Sequence, residues 1–529
     1  MVGSTKRGIT TYLKRYNPVK MTQRLVNYKK IRSLLCLMLV ALEASLEAER
    51  KKGFFKQNRW RFSKKAKCLI VFAIIGVMLV SFFAFLPRGS QSTPNKPQSS
   101  DNSTASPSAT QGTNNQTGSN TLSQFAQFFS NLAGSAAQAF SSPKGPGVIE
   151  SAQTINGTVW RAVAANAWQY FQPGVGVGSD TGLPYAQGTG FSVFTDWDLG
   201  VYIQVVIDAQ KIGLIGTDGS WNSSDRLNKV LTFLETRELN ATTGYPYWFY
   251  YAKTGLDDHA LSDLATATVD VVDTGRLFVA LNNLRVFNSS LASRINNIVL
   301  NGTENPNGGS NYAALVPIIG NDSLTSTSIY AYYCWSGFAS FFPDLSNAPD
   351  TILNNMYNAG IITTNGVQLP KAAISGDPLL CSAFELNSTR LMALARQVYL
   401  AHEAFYNATG EYVAFSEGNS VSNGYGYIYE WVVLPNGDTW KIIQAGSSSY
   451  LNINPINFII YNKVAFSFLA LYNTPFARNM VVYLERSLPD PTNGYFDGAD
   501  NGGNQVLTLG SNANGLILDA ALYAIQNNP

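Results

Sequence analysis

The chain has 529 residues, 45% hydrophobic and 13% charged, enough to bury at least one sizeable core and to allow two or three domains. Its net charge of +3 conceals an asymmetry, because residues 1–67 hold 18 Lys/Arg against only Glu43, Glu47 and Glu49, which leaves +15 on that segment and −12 on the rest. Only His259 and His402 are histidines, which excludes a histidine-rich metal site, and no phosphate-binding loop or HExxH motif occurs.

Residues 1–67 read as a basic cytoplasmic segment. Within it, Leu34 to Leu42 (LLCLMLVAL) is too short to span a bilayer and reads as an amphipathic helix at a membrane surface or partner interface. Its many cations suit anionic lipid headgroups and fix topology, so nucleic acid is not an expected partner. Residues 68–86, from Cys68 to Leu86, run nineteen positions without a charge, about the thickness of the hydrocarbon core, and predict one transmembrane helix. A cleaved signal peptide is the alternative, but its apolar stretch would be shorter, closer to Met1 and followed by a small-residue cleavage site.

Lys64, Lys65 and Lys67 precede the span and only Arg88 and Lys96 follow it closely, which places the N-terminus in the cytoplasm. The expected location is therefore the cell membrane, single-pass, with the C-terminal bulk extracellular. Asn102, Asn115, Asn156, Asn222, Asn240, Asn288, Asn301, Asn321, Asn387 and Asn407 begin N-x-Ser/Thr glycosylation sequons, all on that outer side. Cys334 and Cys381 are the outer pair of cysteines, for which a disulfide and two buried thiols both fit.

Residues 87–147 form a Ser/Thr/Asn/Pro-rich tether whose composition buries too little apolar surface to order itself. A folded domain is expected over 148–529. Trp160, Ala164, Ala167, Trp168 and Phe171 have the spacing of one buried helical face, and similar patterns recur over 197–214, 226–234, 269–286, 291–300, 328–342, 387–406, 455–471, 476–488 and 514–525. Strand signals are few, the clearest being YIYEWVVLPNGDTWKII, with Asn436-Gly437 as a hairpin turn. Helices joined by aromatic- and glycine-rich loops predict a mainly α fold, an α/α toroid with a small β-hairpin insertion.

Carboxylates set among aromatics are what a glycan site needs, one to protonate the leaving oxygen and one to activate water or attack carbon. Asp198 in FTDWDLG is one candidate, although Thr195 or Asp196 could cap a helix there with Asp198 complementing its dipole. Asp270, Asp273 and Arg276 in DVVDTGR share one helix face, where an Asp273/Arg276 salt bridge is the plainer reading. Glu417 in VAFSEGNS has no evident structural duty, whereas Glu385 and Glu403 fall near Arg390 and Arg396 and read as ion-paired. Aromatic clusters at 245–251, 330–335 and 425–440 offer flat faces with polar tips. Asp497 and Asp500 in DGADNGGN could ligate calcium without the full loop spacing, and no other cofactor is expected.

The ordered series NAWQYF, TGLPYA, TDWDLGVYIQVVIDAQKIGLI, DVVDTGRLFVALNNLRVF, ARQVYLAHEAFYNATGEYVAFSEG, NKVAFSFLALYNTPF and NANGLILDAALY resembles prokaryotic envelope proteins of domain-of-unknown-function family 3131. That family is similar to the glucoamylase-like toroids of β-1,2-glucanases and cyclic-glucan synthases. The resemblance implies six helical hairpins, an (α/α)6-type toroid, and a carbohydrate cleft at Asp198, Asp273, Arg276 and Glu417. Where such proteins carry a GYEEYAAKGF-like stretch, this chain has IYAYYCWSGF, with Ala331 and Tyr332 in place of the acids. The expectation is a membrane-anchored glycan-active protein, either an inverting glycoside hydrolase or a non-catalytic binding, adhesion or structural protein. Asp198, Glu417 and Asp273 are the expected catalytic residues, and Arg276, Trp197, Trp248, Tyr332, Trp335 and Tyr425 are expected to bind a polysaccharide or surface glycan.

Overall fold

The computed structural model describes residues 149, 155–188, 192–240, 243–257, 269–301, 311–420 and 425–527. The basic segment, the Cys68–Leu86 span and the tether lie outside them, and no helix among the described residues is long and apolar enough to cross a membrane. Among the described residues thirteen α-helices follow in order: α1 Gly157–Trp168, α2 Asp196–Ile212, α3 Ser223–Thr236, α4 Val271–Phe287, α5 Ala292–Asn296, α6 Val316–Ser323, α7 Ile329–Ala339, α8 Ala348–Asn358, α9 Gly376–Glu385, α10 Thr389–Thr409, α11 Asn462–Tyr472, α12 Pro475–Ser487 and α13 Ser511–Asn527. Small antiparallel sheets accompany them: β1 (Val193–Phe194) with β2 (Tyr250–Tyr251), β3 (Ile361–Thr364) with β4 (Val367–Pro370), β5 (Glu417–Asn419) with β6 (Tyr427–Val433) and β7 (Thr439–Gln444), and β8 (Ile459–Tyr461) with β9 (Phe496–Asp500) and β10 (Gln505–Leu509).

Six of the helices close a ring. α2 packs on α4, α4 on α7, α7 on α9, α9 on α11, α11 on α13, and α13 back on α2. Their sequences are apolar on nearly every side, as enclosure requires; every residue of α2 from Asp196 to Ala209 is buried. Ring neighbours run parallel, because successive contacts advance together: Gly200 of α2 meets Leu277 of α4 and Gln204 accepts from Asn283 further along, while Gly275 of α4 meets Cys334 of α7 and Val279 meets Gly337. Glycine permits these close approaches.

Outside the ring, α1 packs on α13, α3 on α2, α8 on α7, α10 on α9 and α12 on α11. These helices are one-sided; in α12, Phe476, Ala477, Met480, Val481 and Leu484 turn inward at helical spacing. Five of the six inner helices thus carry an outer partner among the described residues, a double layer of the kind expected of a toroid.

Several expectations need correction. The pattern over 455–471 is not one helix, because the β-branched and aromatic run Ile459–Tyr461 forms β8 and pairs with β9, Phe496–Asp500, before α11 begins at Asn462. The hairpin of β6 (Tyr427–Val433) and β7 (Thr439–Gln444) forms around Asn436-Gly437. It has a counterpart the sequence reading passed over: Asn365-Gly366, both at positive φ, turns β3 (Ile361–Thr364) into β4 (Val367–Pro370).

Cys334 and Cys381 are not joined. Both are buried free thiols, the first against Gly275 and the second donating to Asp377 Oδ1 one turn back on α9. Arg276 does not pair with Asp273. Its Nη1 lies 2.5 Å from Glu385 Oε2 inside the ring, where the Tyr333 hydroxyl donates to the same oxygen, while Arg390 pairs with Asp350.

Candidate functional site

Because the ring helices run parallel, their N-termini open at one end. Three are entered directly from strands: β1 (Val193–Phe194) leads into α2, β8 into α11, and β10 (Gln505–Leu509) into α13. Helix N-termini carry partial positive charge and favour acids, and the first turns hold Asp196 and Asp198 on α2, Asp273 on α4 and Asp377 on α9.

The acids on α2 are structurally committed. Thr195 caps the helix in a capping box: Asp198 Oδ2 accepts the Thr195 N–H at 3.0 Å, and the Ser511 hydroxyl donates to Asp198 Oδ1 at 2.5 Å, tying α13 to α2. Burial raises the Asp198 carboxyl against these hydrogen bonds. Asp196 pairs with Arg237 at 2.5 Å and accepts from Thr274 at 3.0 Å. On α4, Asp270 is the N-cap, its Oδ1 accepting from Val272 N–H at 2.9 Å and Asp273 N–H at 3.2 Å. Asp273 is half-buried, and its carboxyl is held well above the usual range by burial and then by the charge of Asp270.

Glu417 enters from the other side of the opening. It begins β5 (Glu417–Asn419) and pairs with Tyr429 of β6. Two bonds fix the approaching chain: the Phe415 N–H donates to His402 Nε2 at 3.2 Å, and the Gly376 N–H at the start of α9 donates to the Phe415 carbonyl at 3.0 Å. Gly418 admits the Tyr461 ring, 2.5 Å from where a Cβ would stand. Burial, then the charge of Asp377, pushes the Glu417 carboxyl up to about 7, against the opposing pull of Lys463 and of the Tyr330 and Tyr427 hydroxyls.

Behind Glu417 lies a buried ion pair. The Lys463 ammonium of α11 contacts Asp377 Oδ2, which also accepts the Asn512 amide of α13 at 2.5 Å. Asp497 of β9, bonded to Asn419, is pushed up to about 6 by burial, with Lys463 opposing.

A continuous aromatic wall joins the two groups of carboxyls. Ring centroids run from Trp197 to Tyr330 at 6.2 Å, to Trp431 at 5.8 Å, to Tyr429 at 6.3 Å and to Tyr427 at 5.7 Å. Tyr429 feels the charges of Glu417, Asp273 and Asp270, so these carboxyls lie within electrostatic reach of one phenol. The buried indole N–H groups of Trp197 and Trp431 have no hydrogen-bond partner among the described residues. Unmade donors on flat rings next to proton-active carboxyls suit a ligand rich in hydroxyls and apolar faces.

The structure thus brings together Asp198, Asp273, Trp197 and Glu417, and leaves other candidates elsewhere. Arg276 is deeper in the ring. Tyr332 donates to Ser388 at the start of α10, and Trp335 donates to Asp322 of α6, so both face the outer layer. Trp248 packs on Phe249 in the loop before β2 (Tyr250–Tyr251), and Tyr425 is half-buried just ahead of β6. The carboxyls expected near calcium diverge, Asp500 accepting from Asn504 in its own turn while Asp497 faces Asn419. Among the described residues no group of three or more His, Cys, Asp or Glu is placed to hold a metal. Asp377, Lys463 and Asn512 escaped the sequence reading; the only available signal was a lysine inside the otherwise apolar run NKVAFSF.

No curated protein matches the sequence. Several solved structures share the fold. A proposed glucoamylase from Bacteroides caccae superposes with a TM-score of 0.50 at 13% identity, covering 70% of this chain and 94% of that one. An endo-β-1,2-glucanase from Chitinophaga pinensis, solved with sophorotriose and glucose, gives 0.50 at 14% identity, covering 70% and 95%. Residues 162–305 and 329–527 match the model of the family described as a protein of unknown function (DUF3131), and the chain belongs to that family.

Proposed function

We propose that the protein binds a glycan at the N-terminal end of its helix ring and hydrolyses a glycosidic bond there, held outside the cell by a membrane span at Cys68–Leu86. One observation carries the reading: Glu417 is a buried carboxyl pushed up to about 7, so it holds a proton near neutral pH that a leaving oxygen can take. The Asp270/Asp273 pair is the partner. Burial raises both carboxyls, Asp273 further through the charge of Asp270, and the ionised member of the pair draws a proton from the attacking water. As water oxygen bonds to the anomeric carbon, the bond to the leaving oxygen breaks and Glu417 protonates it, the outcome being inversion. Asp198 supports this frame rather than reacting, since both its oxygens are occupied.

The glucanase that shares the fold was solved with sophorotriose, which makes β-linked glucan the first substrate to try. A second reading, a non-catalytic glycan-binding envelope protein, is favoured by Ala331 and Tyr332 standing where the family resemblance implies acids. Reducing-end release from a polysaccharide panel including β-1,2-glucan separates the two. Hydrolysis by wild type that disappears in Asp273→Asn/Glu417→Gln supports catalysis; identical behaviour of the two proteins refutes it, and binding without release assigns the second reading. External protease on intact cells should remove the toroid, and its protection would contradict the extracellular placement.

A further inference from the structure

Lys463 and Asp377 are a buried cation and anion that the proposed reaction does not consume. Several elements converge on them and on Glu417. Gly376, the residue before Asp377, donates its N–H to Phe415, two positions ahead of Glu417, and a Cβ on Gly376 would also meet the Val464 side chain beside Lys463. The Ser375 hydroxyl bonds the Glu430 carbonyl of β6, and Gly418 packs on Tyr461, which leads into Lys463. Asn512 of α13 fixes the far side of the pair through Asp377 Oδ2. Both ionic side chains are almost sealed from solvent, at 3% and 0% exposure, so their mutual field is little screened.

We propose that Lys463 and Asp377 are positioning residues whose opposed buried charges, clamped by Asn512, set the proton state that Glu417 presents to substrate. The proposal rests on the assignment of Glu417 as the acid. The groups facing Glu417 from the surrounding elements are Tyr330 and Cys334 on α7, Asp377 on α9, Tyr427 and Tyr429 on β6, Tyr461 on β8, Lys463 on α11 and, through Lys463, Asp497 on β9. Lys463 is the one cation in that set. Removing it should make Glu417 hold its proton to higher pH; removing Asp377 should do the reverse and leave the ammonium free to turn toward Glu417.

The test is the pH dependence of kcat on whichever glycan the wild-type, full-length protein cleaves, measured for Lys463→Met, Asp377→Asn, the double variant and Glu417→Gln. The alkaline limb, where the acid loses its proton, should move up by about one pH unit in Lys463→Met and down by about one in Asp377→Asn, with the double variant between them. A merely structural pair would lower stability and kcat in both single variants without moving the limb, and that result overturns the proposal. Should Lys463→Met fail to fold, Asp377→Asn and the double variant, which leaves no unpaired charge, still decide the direction. If Glu417→Gln cleaves as wild type does, the underlying acid assignment fails; if it is inactive while the limbs stay fixed, only the role of the pair fails.

Discussion

Replacing Arg276 by Met removes a cation from the middle of the helix ring. Arg276 is 1% exposed, and its partner Glu385 also accepts the Tyr333 hydroxyl at 2.8 Å. Methionine refills most of the apolar stem, so the loss is chiefly electrostatic: Glu385 would remain as an uncompensated buried charge with Asp208 and Asp519 nearby. Breaking one side of such a pair costs about 3–5 kcal/mol. Burial already holds Glu385 above its ordinary value, with Arg276 the first opposing influence. Without that cation the folded-state value rises further above the unfolded one. The carboxyl's contribution is then full below the unfolded value and is lost as pH rises through the folded one, so the deficit should be larger at about pH 8 than at about pH 5.

Urea unfolding followed by tryptophan fluorescence should show a lower midpoint at unchanged slope. Arg276→Met/Glu385→Leu, which removes both charges, should recover to within about 1 kcal/mol of wild type. A single-variant deficit below about 1 kcal/mol at the higher pH, or one indifferent to pH, would refute the view that this pair ties α4 to α9 across the ring.

Asp198→Asn should weaken the capping box and the Ser511 tie, costing about 1 kcal/mol in the same melt, yet leave kcat within about tenfold of wild type; a loss matching that of Asp273→Asn would return Asp198 to the chemistry. Native protein should show no reaction of Cys334 or Cys381 with a thiol reagent and full reaction of both once unfolded without reductant, whereas a missing pair would indicate the disulfide. Burial holds His402 down to about 4, and Nδ1 bonds the Val398 carbonyl while Nε2 accepts the Phe415 N–H. Its folded value is depressed, so its contribution is complete above the unfolded value and is lost as pH falls from about 6.5 to about 4. His402→Gln should flatten the stability slope in that window, and an unchanged slope would place the acid sensitivity elsewhere.

The ring was legible where helices are long and apolar all round. The patterns over 197–214, 269–286 and 514–525 correspond to α2, α4 and α13, because enclosure on every side leaves few polar positions to blur the signal. α9 was missed for the opposite reason: it is short, starts Gly-Asp-Pro, and owes its place to packing from α7, α10, α11 and α13. With it went Asp377, whose importance lies in a lysine 86 residues away. The Asp198 cap was readable, since Thr195 and Asp198 stand at capping-box spacing. The partner of Arg276 was not, because a nearby Asp273 on the same helix competes on paper with a Glu385 that only the closed ring brings into reach. Tyr332 and Trp335 show the same limit: aromatic clustering marked the segment, but helix rotation sends Tyr330 to the opening and those two to the outer layer.

The most direct trial of the account is the rate of reducing-end release by Glu417→Gln beside wild type, on the best substrate from the panel and at the wild-type optimum. The substitution keeps shape and removes the transferable proton, so kcat should fall by about 10²–10⁴ while binding of the same glycan persists. Cleavage at the wild-type rate would contradict the account, because nothing else in the site is assigned that proton.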